Sequence, residues 1–564
     1  MKRTLWMLAC ALFTQMAIAQ ETPKWAANAK KAVFSIVTYD KDNNIKGTGN
    51  GFYIDTKGTA LSDYSLFEGA ERAVIINANG KELPVELILG ANSMYDVVKF
   101  KTPTDKKQVS LKVASQPAKE GESVYLLPYS TQKEATLQKG NILNVDSIGN
   151  NSFYYTLQMK TGEKMVSCPI MNVNGEVVGM IQKNASEESD ESYAIAGNYG
   201  QSLAISALSF NDDALNKIGI KKALPDTEEQ ALVYLYMSSE QLDEKSYSTL
   251  LNDFIQQYPN NHEGYIRRAT QYVYGNDASQ YPLADEDIKK AMELASNKEE
   301  AKFQVAKAIY TYTISLEGKE GYSEWNYERA LNIVREAIQA NNQPIYSQLE
   351  GDILYAQKKY ADAYNCYDRV NKSPLASTAT FYSAAKAKQF SEGSDINEVL
   401  ALMDSAIVRL NKPYLSEAAP YFYERAELYT QAKKFREAVV DYNTFYKAVS
   451  GDVNALFYYQ REQVEMQCRM YQQALDDINK AVELSADDEI LWVEKGVVHL
   501  RVNQIDEAIT ALEKAVSLNA EYAAAYRMLG YCQAKKGMKK EAKANYEKAK
   551  ALGDTVVEQL IEKL

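Results

Sequence analysis

The chain has 564 residues, 46% of them hydrophobic, and at about 150 residues per domain this length suggests three or four domain equivalents. The 75 acidic residues outnumber the 63 basic ones, and the net charge of −12 argues against nucleic-acid binding, which needs a basic surface. Only two histidines occur, His262 and His499, so a histidine-rich metal site is disfavoured. We expect no metal and no cofactor.

The first residues have the pattern of an export signal. Lys2 and Arg3 give a positive start, an apolar run follows, and the small residues Ala17–Ala19 stand where signal peptidase cleaves. We therefore predict that residues 1–19 are a signal peptide and that the mature chain begins near Gln20. Export into a bacterial periplasm is the expected consequence.

The cysteines and the rest of the hydropathy pattern add little chemistry. Cys10 follows too short an apolar run for a lipoprotein signal, so lipidation is not expected. No later segment reaches the ~20 apolar residues that cross a bilayer. The remaining cysteines are widely spaced and form no CxxC pair, which favours isolated thiols, although an oxidising compartment would permit disulfides. They are Cys168, Cys366, Cys468 and Cys532.

Alternation with period two dominates the chain from Ala32 to about Ala207, and turn pairs such as Asn79-Gly80 punctuate it. Many short strands without long helical runs predict a sandwich or a barrel. A short helix is predicted from Phe210 to Ile218, and Pro225 closes the segment. The predicted strands include Val33–Val37, Gly51–Ile54, Ala73–Ile76, Pro84–Ile88, Ser123–Leu127 and Glu176–Ile181.

From about Glu228 onward the apolar period is helical, and a longer repeat of 34 residues overlies it. Small and large residues recur at fixed offsets, which lets two helices approach closely while aromatic rings fill the space between pairs. The columns are Ala474, Ala508 and Ala542; then Ile478, Leu512 and Tyr546; then Ala481, Ala515 and Ala549; and upstream Tyr458, Trp492 and Tyr526, with Gly496 and Gly530.

These columns resemble the tetratricopeptide repeat. The resemblance implies an all-α solenoid of about nine helical pairs over residues 225–553, with residues 554–564 as a capping helix. In that family the ligand-facing side chains lie on the first helix of each pair, so the resemblance implies a peptide-binding groove. Its positions in this chain are Tyr423, Glu427, Tyr459, Gln463, Val493, Val497, Arg527 and Tyr531.

Three segments of the first half resemble the trypsin-like serine proteases of the periplasmic quality-control type. They are the stretches from Gly49 to Asp63, from Tyr95 to Phe100 and from Pro169 to Gly179, and the strand Ser192–Ile195 follows in order. The resemblance implies an all-β double barrel over residues 20–224. The PDZ-like module that often follows such a barrel is not found, because helices begin directly after Pro225.

The catalytic residues of that family do not carry over. The histidine position reads Ser65, the aspartate position keeps Asp96, and the nucleophile position reads Val166. Acyl transfer needs a nucleophile, a base and donors for the oxyanion, and this half contains no histidine at all. The oxyanion loop also departs from the family pattern, with Lys164, Ser167 and Cys168 in place of its glycines.

Two rescues stay open at this point. Ser167 with Lys164 would form a Ser-Lys dyad if the lysine lost its proton, and Cys168 would be a nucleophile without histidine. The sequence favours a protein-interaction scaffold that combines an inactive protease-like domain with a peptide- or protein-binding solenoid. The alternatives are an active serine protease that recruits substrates through the repeats, and a structural subunit of an envelope complex.

Overall fold

The computed structural model describes residues 23–104, 108–132, 136–149, 152–184 and 189–564. The predicted signal peptide, residues 1–19, lies outside the described residues. The described chain divides into two compact units. The first contains the residues up to Gly275 together with Pro282–Leu294, and the second contains Asn276–Tyr281 and Ala295–Leu564.

Thirteen strands are present in the described part of the first unit. They are β1 (Val33–Tyr39), β2 (Ile45–Tyr53), β3 (Thr59–Ser62), β4 (Arg72–Ile76), β5 (Glu82–Pro84), β6 (Leu87–Asn92), β7 (Val97–Lys101), β8 (Ser123–Leu126), β9 (Gln138–Gly149), β10 (Ser152–Gln158), β11 (Pro169–Met171), β12 (Val177–Ile181) and β13 (Glu191–Ala196).

These strands form a sheet and a closed barrel, which confirms the predicted fold class. Seven strands pair in the order β5-β4-β1-β2-β3-β7-β6, and six close into the barrel β10-β13-β12-β11-β8-β9. Phe34, Phe52 and Phe100 are fully buried in the core of the sheet, whereas Leu157 and Ile170 fill the core of the barrel. The site described below lies where loops from both halves meet.

Two local predictions were wrong. The predicted strand Pro84–Ile88 is divided between β5 and β6, because Val85 continues the pairing with β4 through its N–H to Ala73 and the chain then turns to pair with β7. The predicted helix at residues 210–218 is a 3₁₀ turn followed by one helical turn. Asp212 interrupts it, since its carboxylate accepts the N–H groups of the residues that begin a new helix.

Twenty-three α-helices are present in the described residues. Four are short: α1 (Ala26–Ala29), α2 (Tyr64–Phe67), α3 (Gly197–Ser202) and α4 (Asp213–Asn216). The long series is α5 (Glu228–Ser238), α6 (Glu244–Gln257), α7 (His262–Tyr274), α8 (Tyr281–Leu294), α9 (Lys298–Ser315), α10 (Tyr327–Ala340), α11 (Pro344–Ala356), α12 (Tyr360–Asn371), α13 (Thr378–Phe390), α14 (Ile396–Ile407), α15 (Ala419–Gln431), α16 (Phe435–Ala448), α17 (Ala455–Gln467), α18 (Tyr471–Leu484), α19 (Glu489–Arg501), α20 (Ile505–Leu518), α21 (Ala523–Lys535), α22 (Lys539–Ala551) and α23 (Glu558–Glu562).

The packing of consecutive helices explains the repeat columns. A Cβ placed on Gly496 of α19 would lie 2.6 Å from Leu512 of α20, and one on Gly530 of α21 would lie 2.8 Å from Tyr546 of α22. The glycine column therefore gives room to the large residue that stands four positions after the alanine column. The long α-helical region is a repeat solenoid of the kind that the sequence resemblance implies.

The first helices of the series share a compact unit with the strands. Tyr234 of α5 packs against the core of the sheet, and the hydroxyl of Tyr258 donates to the carbonyl of Pro225 at 2.8 Å. The first compact unit therefore extends beyond residue 225, the boundary that the sequence predicts. None of the helices in the described ranges has the length and the apolar content to span a bilayer.

Candidate functional site

The loop after β3 brings two carboxylates to one place. Asp63 precedes the short helix α2, so Ser65 lies in its first turn, and Asp96 stands directly before β7. The backbone N–H of Ser65 donates to Asp96 Oδ1 at 2.6 Å, and its hydroxyl donates to Oδ2 at 3.1 Å. The structure therefore places Ser65 and Asp96, the positions that the resemblance assigns to the histidine and the aspartate, side by side.

The electrostatics of Asp96 show what this exchange does. Burial raises the pKa of Asp96, the hydrogen bonds from Ser65 lower it, and the charge of Asp63 raises it again. The Ser65 hydroxyl also lies 3.2 Å from Asp63 Oδ2, so one serine links both carboxylates. In the described part of the first unit no cation is paired with either of them.

Ser167 is bonded to Asp63 rather than exposed to a substrate. It has φ +64° and is fully buried, and its hydroxyl donates to Asp63 Oδ1 at 2.5 Å while accepting the N–H of Asp63 at 3.0 Å. The predicted dyad partner Lys164 lies on the surface, with its side chain exposed. The geometry thus contradicts the Ser-Lys dyad, because the hydroxyl of Ser167 engages a carboxylate instead.

The segment from Lys164 to Cys168, which stands at the oxyanion loop of the resembling family, forms several backbone hydrogen bonds. The N–H of Met165 donates to Gly162, that of Val166 to Glu163, and that of Ser167 to Ile181, at 2.9, 3.2 and 2.9 Å. An oxyanion hole needs unpaired N–H donors aimed at the reacting carbonyl. In this loop the N–H groups of Met165, Val166 and Ser167 are engaged in backbone hydrogen bonds.

Asn50 of β2 holds that loop in place. Its side-chain amide donates to the carbonyl of Lys164 at 2.9 Å and to that of Val166 at 3.0 Å, and the residue is buried. The sequence pattern does not indicate a role for Asn50, because Asn50 stands at a variable position of the segment that resembles the protease family. It also missed Asp63, whose only signal was its place two residues before Ser65.

The thiol of Cys168 is the remaining reactive group near the loop. It is fully buried, and burial raises its pKa to about 12, with a further contribution from the charge of Asp63. The thiolate is the nucleophilic form of cysteine, so this thiol is inert at neutral pH. The structure therefore contradicts Cys168 as a nucleophile.

A small cavity of about 270 Å³ lies beside Val166. Thr161, Gln182 and Asn184 are among its lining residues. The side-chain nitrogen of Gln182 and the side-chain oxygen of Asn184 have no hydrogen-bond partner in the described residues. The cavity therefore offers one donor and one acceptor to a side chain of modest size.

The structure distributes the predicted groove residues between groove and core. Tyr423 lines a cavity of about 450 Å³ formed by α15, α17 and the loop before α17, and its hydroxyl donates to Gln460. The amide of Gln460 lies 3.5 Å from Glu427, and burial raises the pKa of that glutamate. Val493 was predicted to line the groove, and the structure corrects this. Val493 is 5% exposed and packs in the core with Leu512, so it is not available to a ligand.

The other predicted positions remain at the surface to different degrees. Tyr459, Gln463 and Val497 are half-buried, and Tyr531 is 36% exposed. Arg527 donates to Asp554 at 2.6 Å and thereby ties α21 to the segment before α23. The groove role of these residues stays a prediction.

Comparison with known proteins agrees with the fold of the first unit. The family model described as a trypsin-like peptidase domain matches residues 49–180. Among solved structures, the active form of the Rv3671c protease from M. tuberculosis is 17% identical over 36% of this chain and 86% of its own, with a TM-score of 0.29. The serine endoprotease from Yersinia pestis is 18% identical over 31% of this chain and 61% of its own, with a TM-score of 0.27.

No curated protein matches the chain. At the identities and TM-scores of the structural matches, the likeness gives no role to any residue. The chain therefore combines a trypsin-like peptidase domain, shown by its sequence match and its sheet and barrel, with a long region of paired helices.

Proposed function

We propose that the protein is an exported interaction scaffold in which the trypsin-like domain has no peptidase activity and the helical repeats bind peptides or proteins. One observation carries the first part: the N–H groups of Met165, Val166 and Ser167 are hydrogen-bonded to backbone carbonyls, and Ser167 is buried against Asp63. Acyl transfer requires a substrate carbonyl to meet both an accessible nucleophile and free donors, and a buried hydroxyl beside engaged N–H groups does not match that requirement.

The absence of a histidine from residues 20–224 supports the same proposal. Both histidines, His262 and His499, belong to helices α7 and α19. The carboxylates Asp63 and Asp96 are satisfied by serine hydroxyls and backbone N–H groups. The site is thus a closed hydrogen-bond network rather than a catalytic one.

The second candidate is an active serine protease, and one contact favours it. The hydroxyl of Ser167 lies 2.5 Å from a carboxylate that would accept its proton. Against it stands the full burial of Ser167, which leaves no path for a carbonyl carbon to reach the hydroxyl oxygen.

A fluorophosphonate probe tests the first part. We expect no labelling of the full-length protein under conditions that label an active trypsin-like protease completely. Labelling that is lost in Ser167→Ala but kept in Ser65→Ala would overturn the proposal and establish Ser167 as a nucleophile.

Crosslinking capture from a native envelope fraction tests the second part. We expect the mature protein to capture a protein partner whose crosslinks fall on α15 to α21. Crosslinks confined to the trypsin-like domain would assign binding to the cavity beside Val166. Partner capture that is insensitive to every groove substitution would support a purely structural subunit. Export is tested by mass spectrometry of the native N-terminus, where Gln20 or a neighbour is expected and Met1 would contradict it.

A further inference from the structure

A cavity of about 680 Å³ lies in the second unit, between the start of α13 and the segment that connects α14 to α15. Its volume falls within the range of about 300–1,000 Å³ that is typical of small-molecule sites. The hydroxyl of Thr378 donates to the carbonyl of Ala406 at 3.1 Å and thereby ties the first turn of α13 to the end of α14. Two of the elements around the cavity are therefore bonded to each other.

The wall of this cavity is largely apolar. Tyr421 of α15 is half-buried, and its ring packs edge-on against Tyr382 of α13, with 5.1 Å between the ring centroids. Leu415 contributes to the same wall, and it is 61% exposed, so a ligand can reach it. Further apolar lining residues are Ala376, Leu410 and Ala418. Such a surface favours a ligand with aliphatic side chains.

Two side chains of opposite charge line the same cavity. Arg409 lies just after α14, and Glu417 lies in the 3₁₀ turn directly before α15. Neither of them forms an ion pair, with the other or with any further side chain, among the residues that the structure describes. The cavity therefore offers a ligand one positive group and one negative group beside an apolar wall.

Arg409 is held in position although no carboxylate binds it in the described residues. One of its guanidinium N–H groups donates to the carbonyl of Ser405 at 2.6 Å, and the guanidinium carbon lies 4.1 Å from the centre of the Phe381 ring. A guanidinium stacked in this way keeps its other N–H groups for a planar acceptor such as a carboxylate. Because the side chain is already oriented, less conformational freedom is lost when a carboxylate binds.

We propose that this cavity binds a short peptide with apolar side chains whose amino and carboxyl ends are both free. The carboxylate of the peptide would accept from Arg409, its ammonium would donate to Glu417, and its side chains would lie against Tyr421 and the aliphatic wall. The proposal rests on the proposed function in one respect, namely that the helical repeats bind peptides, and it names the class of peptide.

Charge complementarity selects this ligand over its alternatives. A second carboxylate on the ligand would meet Glu417, and a second ammonium would meet Arg409, so a strongly acidic or strongly basic segment fits less well than a zwitterion. Blocking one end of the peptide removes one of the two matched charges. The apolar wall in turn disfavours a zwitterion with polar side chains, because their hydroxyl groups would lose water without gaining a partner.

Isothermal titration calorimetry with the full-length mature protein tests the proposal. The probes are the tripeptide Leu-Ala-Leu with free ends, its N-acetylated form, its C-amidated form, and Ser-Gly-Ser with free ends. We expect free Leu-Ala-Leu to bind and each of the other three to bind about tenfold or more weakly. Equal binding of the free form and either blocked form would overturn the zwitterionic ligand and leave the proposed function standing.

Matched variants assign each end of the peptide. Arg409→Gln should bind free Leu-Ala-Leu about tenfold more weakly and should no longer distinguish it from the amidated form, whereas Arg409→Lys should keep that distinction. Glu417→Gln should abolish the distinction between the free and the acetylated form instead. Arg436→Gln and Glu437→Gln, at exposed positions of α16 outside the cavity, should bind like the wild type. If Arg409→Gln still prefers the free form over the amidated one, the cavity is not the site.

A Leu-Ala-Leu probe that carries photoleucine at its last position gives a readout that needs no variant. It should label the segments around Leu415 and Tyr421 in the wild type. Labelling elsewhere, or no binding of any of the peptides, would overturn the proposal, whereas the envelope capture described above judges the proposed function separately.

Discussion

A buried glutamate in the helix pair α17–α18 should make that pair less stable as the pH rises. Glu462 stands in the column that holds glycine in the neighbouring pairs, at Gly496 and Gly530, and it is fully buried. Burial raises its pKa from 4.5 to about 8, with a smaller increase from the charge of Glu494. The unfolded chain would ionise this carboxyl at its ordinary pKa, so folding holds a proton that the unfolded state releases.

The sign and size follow from that difference. Because the folded pKa is raised, the stabilisation is fully present below about pH 4.5 and is lost progressively as the pH rises towards 8. At pH 7 the loss is roughly 3 kcal/mol, since each pKa unit corresponds to about 1.4 kcal/mol. Glu465 lies one turn further along α17, and burial raises its pKa to about 8 as well, so the two groups steepen the dependence together.

The variant Glu462→Gln removes the titration while keeping the shape of the side chain. We expect it to match the wild type near pH 4 and to exceed it by roughly 3 kcal/mol at pH 7. Glu462→Met serves as a second variant, because an unsatisfied amide in this position would mask part of the gain. Glu483→Gln is the control, since Glu483 is exposed on the same pair and contacts only Lys480 among the described residues.

Hydrogen exchange is the suitable assay because a chain with two compact units does not unfold in one step. Amide protection in α17 and α18 is measured by mass spectrometry from pH 5 to 9 and corrected for intrinsic exchange rates. About 3 kcal/mol corresponds to roughly a hundredfold difference in the opening equilibrium between wild type and Glu462→Gln. Parallel pH profiles for the wild type and both variants would refute the argument and place Glu462 in a solvated or paired state.

Three further predictions concern packing and thiol chemistry. Gly530→Ala should destabilise the pair α21–α22 by about 1–3 kcal/mol, because the new Cβ would lie 2.8 Å from the ring of Tyr546, whereas Gly162→Ala, with nothing within 4 Å, should be neutral in thermal unfolding. Ala508→Glu should unfold the pair α19–α20 locally, since the position is fully buried and offers the charge no partner, and loss of amide protection there would show it. Iodoacetamide at pH 8 should modify Cys468 first, because Cys468 is half-buried. It should spare the buried cysteines, because burial raises the pKa of Cys168 to about 12, of Cys366 to about 12 and of Cys532 to about 11. Mass spectrometry that finds Cys168 modified in the folded protein would contradict this order.

The repeat columns could be predicted from the sequence because the contacts they describe are local. Gly496 and Leu512 belong to consecutive helices, and so do Gly530 and Tyr546, so a fixed spacing in sequence becomes a fixed distance in space. The repeat pattern did not, however, predict the burial of Glu462. Glu462 fills a glycine position with a long acidic side chain, and no periodicity indicates that it is buried rather than turned to solvent.

In the trypsin-like domain, by contrast, the contacts that form the site are long-range and could not be predicted from the sequence. The positions of Ser65 and Asp96 could be aligned with a known family, and the structure brings them together. The bonds from Asn50 to the oxyanion loop and from Asp63 to Ser167 join residues more than 100 positions apart. Such pairs depend on how two halves of a fold meet, and no local pattern contains that information. The prediction that Val493 lines the groove was wrong for a related reason. The repeat family assigns its column to the ligand face, but in this chain the side chain at that position lies in the core.

Under the proposed function, the residues at the catalytic positions also explain how the fold would tolerate an inactive site. A buried carboxylate that loses its imidazole partner would be left without donors, at a cost of several kcal/mol. Here Ser65 donates both an N–H and an O–H to Asp96, and Ser167 donates its hydroxyl to Asp63. Asn50 in turn donates to the carbonyls of Lys164 and Val166. The two carboxylates, the two serine hydroxyls and the two loop carbonyls are thus paired internally, which keeps the packing between sheet and barrel satisfied.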